Sequence, residues 1–201
     1  MGGGERHRAQ RRAQLLEAAR RVFVQKGYQA TSVDDIVARL PVARGTFYLY
    51  FRDKRAVFEA LVDDFFERIV GSIRSIDLSE GAPPPRAQLR ANIARIVELA
   101  LGEPETVQLA LRAAPGMDPA LDAKLAEFYE GLRRFVDESL QEGQRIGLVR
   151  PGDRRIMVSL ALGGLKEILL DAVTGVLPRD ADALVEAVMR FLEHGLLQPS
   201  P

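Results

Sequence analysis

Between residues 44 and 54 the chain combines a guanidinium, three hydroxyl-bearing side chains and an ammonium at close spacing. Arginine commonly reads guanine through two hydrogen bonds, and threonine and tyrosine hydroxyls suit phosphate oxygens. A glycine in this run leaves room for another backbone to approach, and a lysine at a helix start adds charge where N–H groups already favour a phosphate. The residues are Arg44, Gly45, Thr46, Tyr48, Tyr50 and Lys54. Their types and spacing predict a surface that contacts DNA.

Three short helices within residues 8–50 are predicted to position these side chains. Apolar spacing defines the first helix, and Gly27 ends it. Ser32 followed by Asp35 predicts a capping box that opens the second. After a tight turn, a third helix over about 44–50 is only about 10 Å long, which suits a major groove roughly 12 Å wide. This order of elements predicts a helix-turn-helix.

Helical spacing continues along the rest of the chain, without the alternation typical of strands. We therefore predict an all-α fold of about nine helices. Residues 1–53 are expected to form an N-terminal arm and DNA-binding domain, and residues 54–201 a helical effector-binding and dimerisation domain. Residues 1–60 carry twelve Lys/Arg against six Asp/Glu, whereas the remainder carries sixteen against twenty-two. A basic first third favours a polyanionic partner, although a chance imbalance would look the same.

Capping and breaking residues predict where the later helices begin and end. Asp53, Asp153 and Asp180 are each expected to cap a helix start, as is Asp118 before a proline. Pro178 is expected to break the helix that follows Asp153. Residues 77–85 form the clearest loop, and a short helix is predicted over 104–114.

The first quarter of the chain resembles a known family. The segment Phe23…Gly27-Tyr28…Thr31-Ser32-Val33…Ile36, followed by Gly45-Thr46-Phe47-Tyr48…Tyr50-Phe51…Lys54, strongly resembles the tetracycline-repressor (TetR) family over about residues 15–58. Glycines, aromatics, capping residues and the lysine fall together at the family's spacing. The resemblance implies a homodimeric, ligand-controlled transcriptional repressor.

The resemblance also assigns roles to matching residues. It implies that Arg44, Gly45 and Tyr48 lie near bases. It implies contacts to the phosphate backbone from the following residues: Ser32, Thr46, Tyr48, Tyr50 and Lys54.

Two residues depart from the family's pattern. Pro41 stands where the family usually has glycine in the turn, and Ala43 stands where it usually has serine opening the third helix. Alanine cannot cap that helix, so the resemblance does not fix the geometry of the turn. The arginines of the N-terminal arm, Arg6, Arg8, Arg11 and Arg12, add either phosphate or minor-groove contacts or only a solvated tail.

In this family the middle helices enclose an effector pocket. The predicted ligand-binding residues are Phe65, Phe66, Ile69, Leu99, Leu109, Arg112, Phe128, Tyr129 and Leu132, with Phe135 as a further candidate. Their apolar character favours a lipophilic or acyl-type effector, with Arg112 available to pair with an anionic group. The alternative is that these aromatics are plain core.

Dimerisation is expected because one reading helix supplies few base contacts, and two copies would read palindromic half-sites. The predicted dimer interface is formed by helices 153–175 and 180–196, where small residues allow the helices of two subunits to approach closely. The alternative is that these helices are buried within one monomer.

Other function classes find little support in the sequence. His7 and His194 stand far apart with no catalytic or metal-ligand spacing between them, so an enzyme, a metal site and a cofactor are not expected. The absence of cysteine fits a cytoplasmic protein, and no apolar run reaches the length of a membrane span. Two rivals remain: a helical interaction protein that does not bind DNA, and an activator of the same family.

Overall fold

The computed structural model describes residues 3–113 and 119–197, and within them it is all-α. Nine α-helices are present in this part of the chain: α1 (Gly3–Lys26), α2 (Val33–Val37), α3 (Arg44–Tyr48), α4 (Lys54–Ser72), α5 (Pro85–Gly102), α6 (Pro104–Gln108), α7 (Pro119–Arg145), α8 (Arg154–Thr174) and α9 (Ala181–Gly195). A π-helical turn, Leu109–Ala113, follows α6 directly. The predicted all-α class is confirmed.

Helices α1–α3 form a small N-terminal unit, here called the head. Gly27 adopts a left-handed φ of 79° and ends α1, as predicted. Ser32 accepts a hydrogen bond from the Asp35 N–H while the Asp35 carboxylate accepts one from the Ser32 N–H, which completes the predicted capping box. The first helix begins at Gly3, so the N-terminal arm is helical along its described length.

Helices α4–α9 form the larger unit, here called the body. Asp53 and Asp180 cap α4 and α9 through side-chain hydrogen bonds, and Asp153 caps α8, all as predicted. One buried apolar cluster runs without a break from Leu15 in the head to Met189 in α9. A smaller cluster lies where the loop after α7 meets the segment that follows α9. An isolated antiparallel bridge joins Val149 and Leu197 there.

Three predictions of helix boundaries are corrected by the structure or lie outside the described residues. Helix α8 ends at Thr174, because Gly175 adopts a left-handed φ of 85° there, so Pro178 does not break it. The predicted helix over 104–114 is divided into α6 and the π-helical turn. The predicted cap residue Asp118 lies outside the described residues, and α7 begins at Pro119.

Candidate nucleic-acid interface and effector groove

Helix α3 presents one side to the core and the other to solvent. Phe47 is fully buried and Phe51 nearly so, which anchors the helix inward. Tyr48 is 48% exposed and the Arg44 side chain is 60% exposed. The short helix therefore displays the two side chains for which base contacts are predicted.

The exposed face of α3 is linked to α2 by a charged hydrogen bond. Arg44 Nη1 donates to Asp34 Oδ2 at 3.1 Å, and Arg44 Nη2 reaches the Tyr48 hydroxyl at 3.5 Å. The Tyr48 hydroxyl and then the Asp34 carboxylate raise the pKa of Arg44 above its ordinary value. The guanidinium is held in place, yet it stays accessible.

Gly45 and its neighbours complete this face. A Cβ added at Gly45 would meet nothing within 4 Å, so packing within the chain does not require glycine there. Thr46 is half-buried, and Tyr50 is half-buried against the core. Direct contacts of these residues with DNA stay predictions.

The turn between α2 and α3 closes without a left-handed residue, despite Pro41 in place of glycine. The Val42 N–H donates to the Leu40 carbonyl at 2.8 Å within the turn. Ala43 occupies the N-cap of α3 with extended geometry and makes no side-chain capping bond. Ala43 therefore leaves α3 without a side-chain cap, whereas Pro41 does not prevent the tight turn between α2 and α3.

Ser32 and Asp35 tie α2 to α1. The Ser32 hydroxyl donates to Asp35 Oδ2 at 2.7 Å, and the Lys26 ammonium bonds the other carboxylate oxygen. The bond from Lys26, followed by those from Ser32, holds the pKa of Asp35 well below its ordinary range. A phosphate contact by Ser32 stays a prediction, and its present role is to cap α2.

Lys54 lies at the start of α4 and spans from the body to the head. Its Nζ donates to the backbone carbonyls of Tyr28 at 2.9 Å, Gln29 at 3.0 Å and Thr31 at 2.8 Å. It also lies 4.6 Å from the centre of the Tyr28 ring. The ammonium has three hydrogens, so these bonds use them all. The structure gives Lys54 a clamping role, and its phosphate contact stays a prediction.

The N-terminal arginines lie along the first turns of α1. Arg6, Arg8 and Arg12 are exposed, and Arg11 is half-exposed and bonded to Gln14 at 2.9 Å. The Arg12 guanidinium lies 5.3 Å from the centre of the Phe51 ring. Because Phe51 packs against Phe47, this contact joins the N-terminal arm to the buried side of α3.

An apolar groove of about 660 Å³ lies between α4 and α7. The rings of Phe66 and Phe128 stack in it with centroids 3.6 Å apart and planes 11° from parallel. The lining residues are Val62, Asp63, Phe66, Glu67, Val70, Gly71, Ile73, Lys124, Leu125, Glu127, Phe128, Gly131, Leu132 and Phe135. Its size and apolar lining are typical of a small-molecule site.

The predicted ligand residues divide between this groove and the core. Phe66, Phe128, Leu132 and the further candidate Phe135 line the groove. The others do not: Phe65, Ile69 and Leu109 are buried in the core, Leu99 packs against it, and Tyr129 is half-buried. Burial raises the pKa of the Tyr129 phenol. The side chain of Arg112 lies outside the described residues.

Five charged residues at these sites were not predicted from the sequence. Asp34 positions Arg44, and Asp63 and Lys124 form an ion pair at the groove. The ten-residue separation of Asp34 and Arg44 follows no helical period, so no spacing rule could have found the pair. Glu67 and Glu127 also line the groove.

No helix in the described part of the chain is long and apolar enough to cross a membrane. Nor do the described residues bring three or more His, Cys, Asp or Glu side chains together as metal ligands.

A capped short helix, a tight turn and a second helix with an exposed Arg–Tyr face define a helix-turn-helix DNA-binding regulator. Residues 15–61 match the description "Bacterial regulatory proteins, tetR family". The matched segment belongs to this family, and the chain is a transcriptional regulator rather than an enzyme, as the relatives below are.

Relatives of known role agree with this assignment. Over 140 residues the chain is 29% identical to the HTH-type transcriptional repressor DhaR of Mycobacterium sp. (strain GP1), covering 69% of this chain and 70% of DhaR. It is 26% identical over 198 residues to the HTH-type transcriptional activator FasR of Mycolicibacterium smegmatis, covering 96% and 86%. The transcriptional regulator FadR from Bacillus subtilis, solved in complex with stearoyl-CoA, matches with a TM-score of 0.70 at 25% identity, covering 90% of this chain and 96% of FadR.

Proposed function

We propose that this regulator is a homodimeric repressor that is released from a palindromic operator by a small lipophilic effector. The observation that carries the proposal is the exposure of Arg44 and Tyr48 on a helix whose other side is anchored by buried Phe47. An exposed guanidinium and hydroxyl on an anchored helix are suited to read base edges and hold phosphates. Residues 1–53 would act as the DNA-binding domain, and residues 54–201 would bind the effector and the second subunit.

Exposed apolar side chains on α8 and α9 support dimerisation. Ile156 is 60% exposed and Leu160 is 61% exposed, one turn apart on α8, and Phe191 of α9 is 65% exposed. Gly163 and Gly164 continue the α8 face and leave open space beside the helix. Exposed apolar side chains of this kind favour an interface with another chain. A two-fold pairing through it would present two α3 helices to one duplex.

Helix α4 supports a connection between effector and operator. Its first residue, Lys54, clamps the head, while Val62, Phe66 and Val70 farther along the same helix line the groove. The helix is about 28 Å long and has no break, so a shift at the groove would reach the head. FadR of Bacillus subtilis binds stearoyl-CoA, and an acyl chain is one lipophilic group that would suit the apolar groove here.

Selection of bound sites from random DNA with the full chain tests the proposal. We expect an enriched palindrome, retained more weakly as salt rises. A panel of lipophilic compounds is then added to the complex with the selected duplex, and fluorescence anisotropy reports release. Failure to enrich any sequence would overturn the proposal in favour of a helical interaction protein.

A second candidate function is activation, and the activator FasR is the observation that favours it. The residues that would face DNA do not determine whether binding lowers or raises transcription of the target gene. A reporter gene placed behind the selected operator distinguishes the two, because repression lowers its expression and activation raises it.

A further inference from the structure

We propose that the groove between α4 and α7 selects a lipophilic cation, with an apolar body and an ammonium-type head, over an anionic acyl thioester. The proposal rests on the proposed function, since it names the effector class of that same groove.

The floor of the groove suits the apolar body. The stacked rings of Phe66 and Phe128 are flanked by Val62, Leu125 and Leu132. The ring of Phe128 is only half-buried, and the face that it turns away from Phe66 carries the negative end of the ring quadrupole, which attracts a cation. The floor alone therefore accepts a neutral or cationic apolar group.

The charged residues along the groove indicate the charge of the effector's head group. Four charged residues line it: Asp63, Glu67, Lys124 and Glu127. The ammonium of Lys124, the single cation among them, is paired with the Asp63 carboxylate. Among the described residues no ion pair neutralises Glu67 or Glu127, which stand one on each wall. The lining therefore carries a net charge of −2 from these four residues.

Two neighbouring arginines, Arg68 and Arg133, do not reverse this balance. Arg68, which follows Glu67 along α4, is turned away and holds Glu103 and Asp64. Arg133 on α7 donates to Ser159 at 3.0 Å, and neither arginine lines the groove. Carboxylates on both walls repel the phosphates of a coenzyme A thioester and attract an ammonium. Both glutamates are exposed, so the attraction is screened by salt and each contributes modestly.

Matched probes that share a twelve-carbon chain test the proposal on the full-length protein. Dodecyltrimethylammonium, dodecanol and lauroyl-CoA differ in head charge, and all are used below micelle-forming concentrations. Calorimetric titration measures binding of each probe, and anisotropy measures release of the selected DNA duplex. We expect the ammonium probe to bind tightest and lauroyl-CoA weakest.

The paired substitution E67Q/E127Q removes both charges and preserves shape. We expect it to weaken dodecyltrimethylammonium binding about tenfold, to leave dodecanol unchanged and to strengthen lauroyl-CoA. The control E98Q/E80Q removes two exposed charges that do not line the groove and should change none of the three.

The results separate this inference from the proposed function. Tighter binding of lauroyl-CoA than of the ammonium probe, with release of DNA, would overturn the charge selection while leaving the lipophile-controlled regulator intact. An ammonium affinity that is insensitive to E67Q/E127Q would overturn it as well. If none of the three probes binds or releases DNA, the lipophilic effector itself fails, and this inference fails with it.

Discussion

The guanidinium of Arg44 on α3 is hydrogen-bonded to the carboxylate of Asp34 on α2, at 3.1 Å, with both side chains about 60% exposed. If Arg44 reads DNA as proposed, the Asp34 carboxylate beside it competes with DNA phosphates for its guanidinium. A phosphate of any sequence must displace Asp34, whereas a guanine edge offers two acceptors in return. We therefore expect Asp34 to favour binding of specific over non-specific DNA.

Replacing Asp34 with asparagine is expected to reduce sequence discrimination. The D34N variant should bind scrambled DNA about three- to tenfold more tightly, because a repulsive charge is lost and Arg44 is released. Binding to the selected operator should change less. Anisotropy titrations on operator and scrambled duplexes measure the ratio. The matched control D182N, far along the chain on α9, should leave it unchanged, and an equal gain in both variants would contradict the role of Asp34.

Gly45 offers a test that separates folding from DNA binding. The space around an added Cβ is open, and alanine is favoured over glycine in a helix by up to about 1 kcal/mol. The G45A variant should therefore keep or raise the free energy of unfolding, measured by urea denaturation. Operator affinity should nevertheless fall at least about tenfold, because the methyl group intrudes where DNA approaches. Unimpaired operator binding would show that Gly45 does not face the duplex.

Lys54 is expected to act on the head rather than on DNA. The K54M variant removes three hydrogen bonds to carbonyls of the turn after α1, so it should lower the free energy of unfolding by about 1–2 kcal/mol. If Lys54 does not contact a phosphate, the slope of log affinity against log salt should stay at the wild-type value. Loss of one phosphate contact would instead reduce the slope by about 0.9, with little change in stability. The salt titration thus decides between the clamp and the phosphate contact that the resemblance implies.

An ion pair between α1 and α6 is expected to fix the head against the body. Arg20 lies 3.2 Å from Glu105 and 2.7 Å from Glu17, and its side chain is only 18% exposed. The variants R20M and E105Q should each weaken operator binding about two- to fivefold, because the head is held less firmly. The double variant should be no weaker than R20M alone, since R20M already removes the contact with Glu105. Additive losses would mean that the two residues act separately.

Local signals in the sequence predicted most helix ends, because caps act over three or four residues. Ser32 with Asp35, Gly27 and Asp53 all occupy the positions that the sequence predicted. The predicted end of α8 at residue 175 is within one residue of the observed one, but its predicted breaker was wrong, because Gly175, with its left-handed φ, precedes Pro178 and ends the helix first. Uninterrupted spacing predicts that a helix exists, but the earliest available C-cap decides where it ends.

Side-chain contacts between helices were harder to predict. Phe65 and Phe66 are neighbours in sequence and equally aromatic, yet they point about 100° apart around α4. Both are buried, but only Phe66 also lines the groove, because α7 packs against its side of α4. The role of Lys54 was missed for the same reason, since its three acceptors lie 23 to 26 residues earlier in the chain.

The central claim is that the exposed face of α3 reads DNA, and a salt titration of R44A beside the wild type tests it most directly. On the selected operator the wild-type affinity should fall steeply with salt, and R44A should bind at least about tenfold more weakly with relaxed sequence preference at one position of each half-site. Wild-type affinity and specificity in R44A, or no retention of the wild-type protein on any duplex at low salt, would contradict the account.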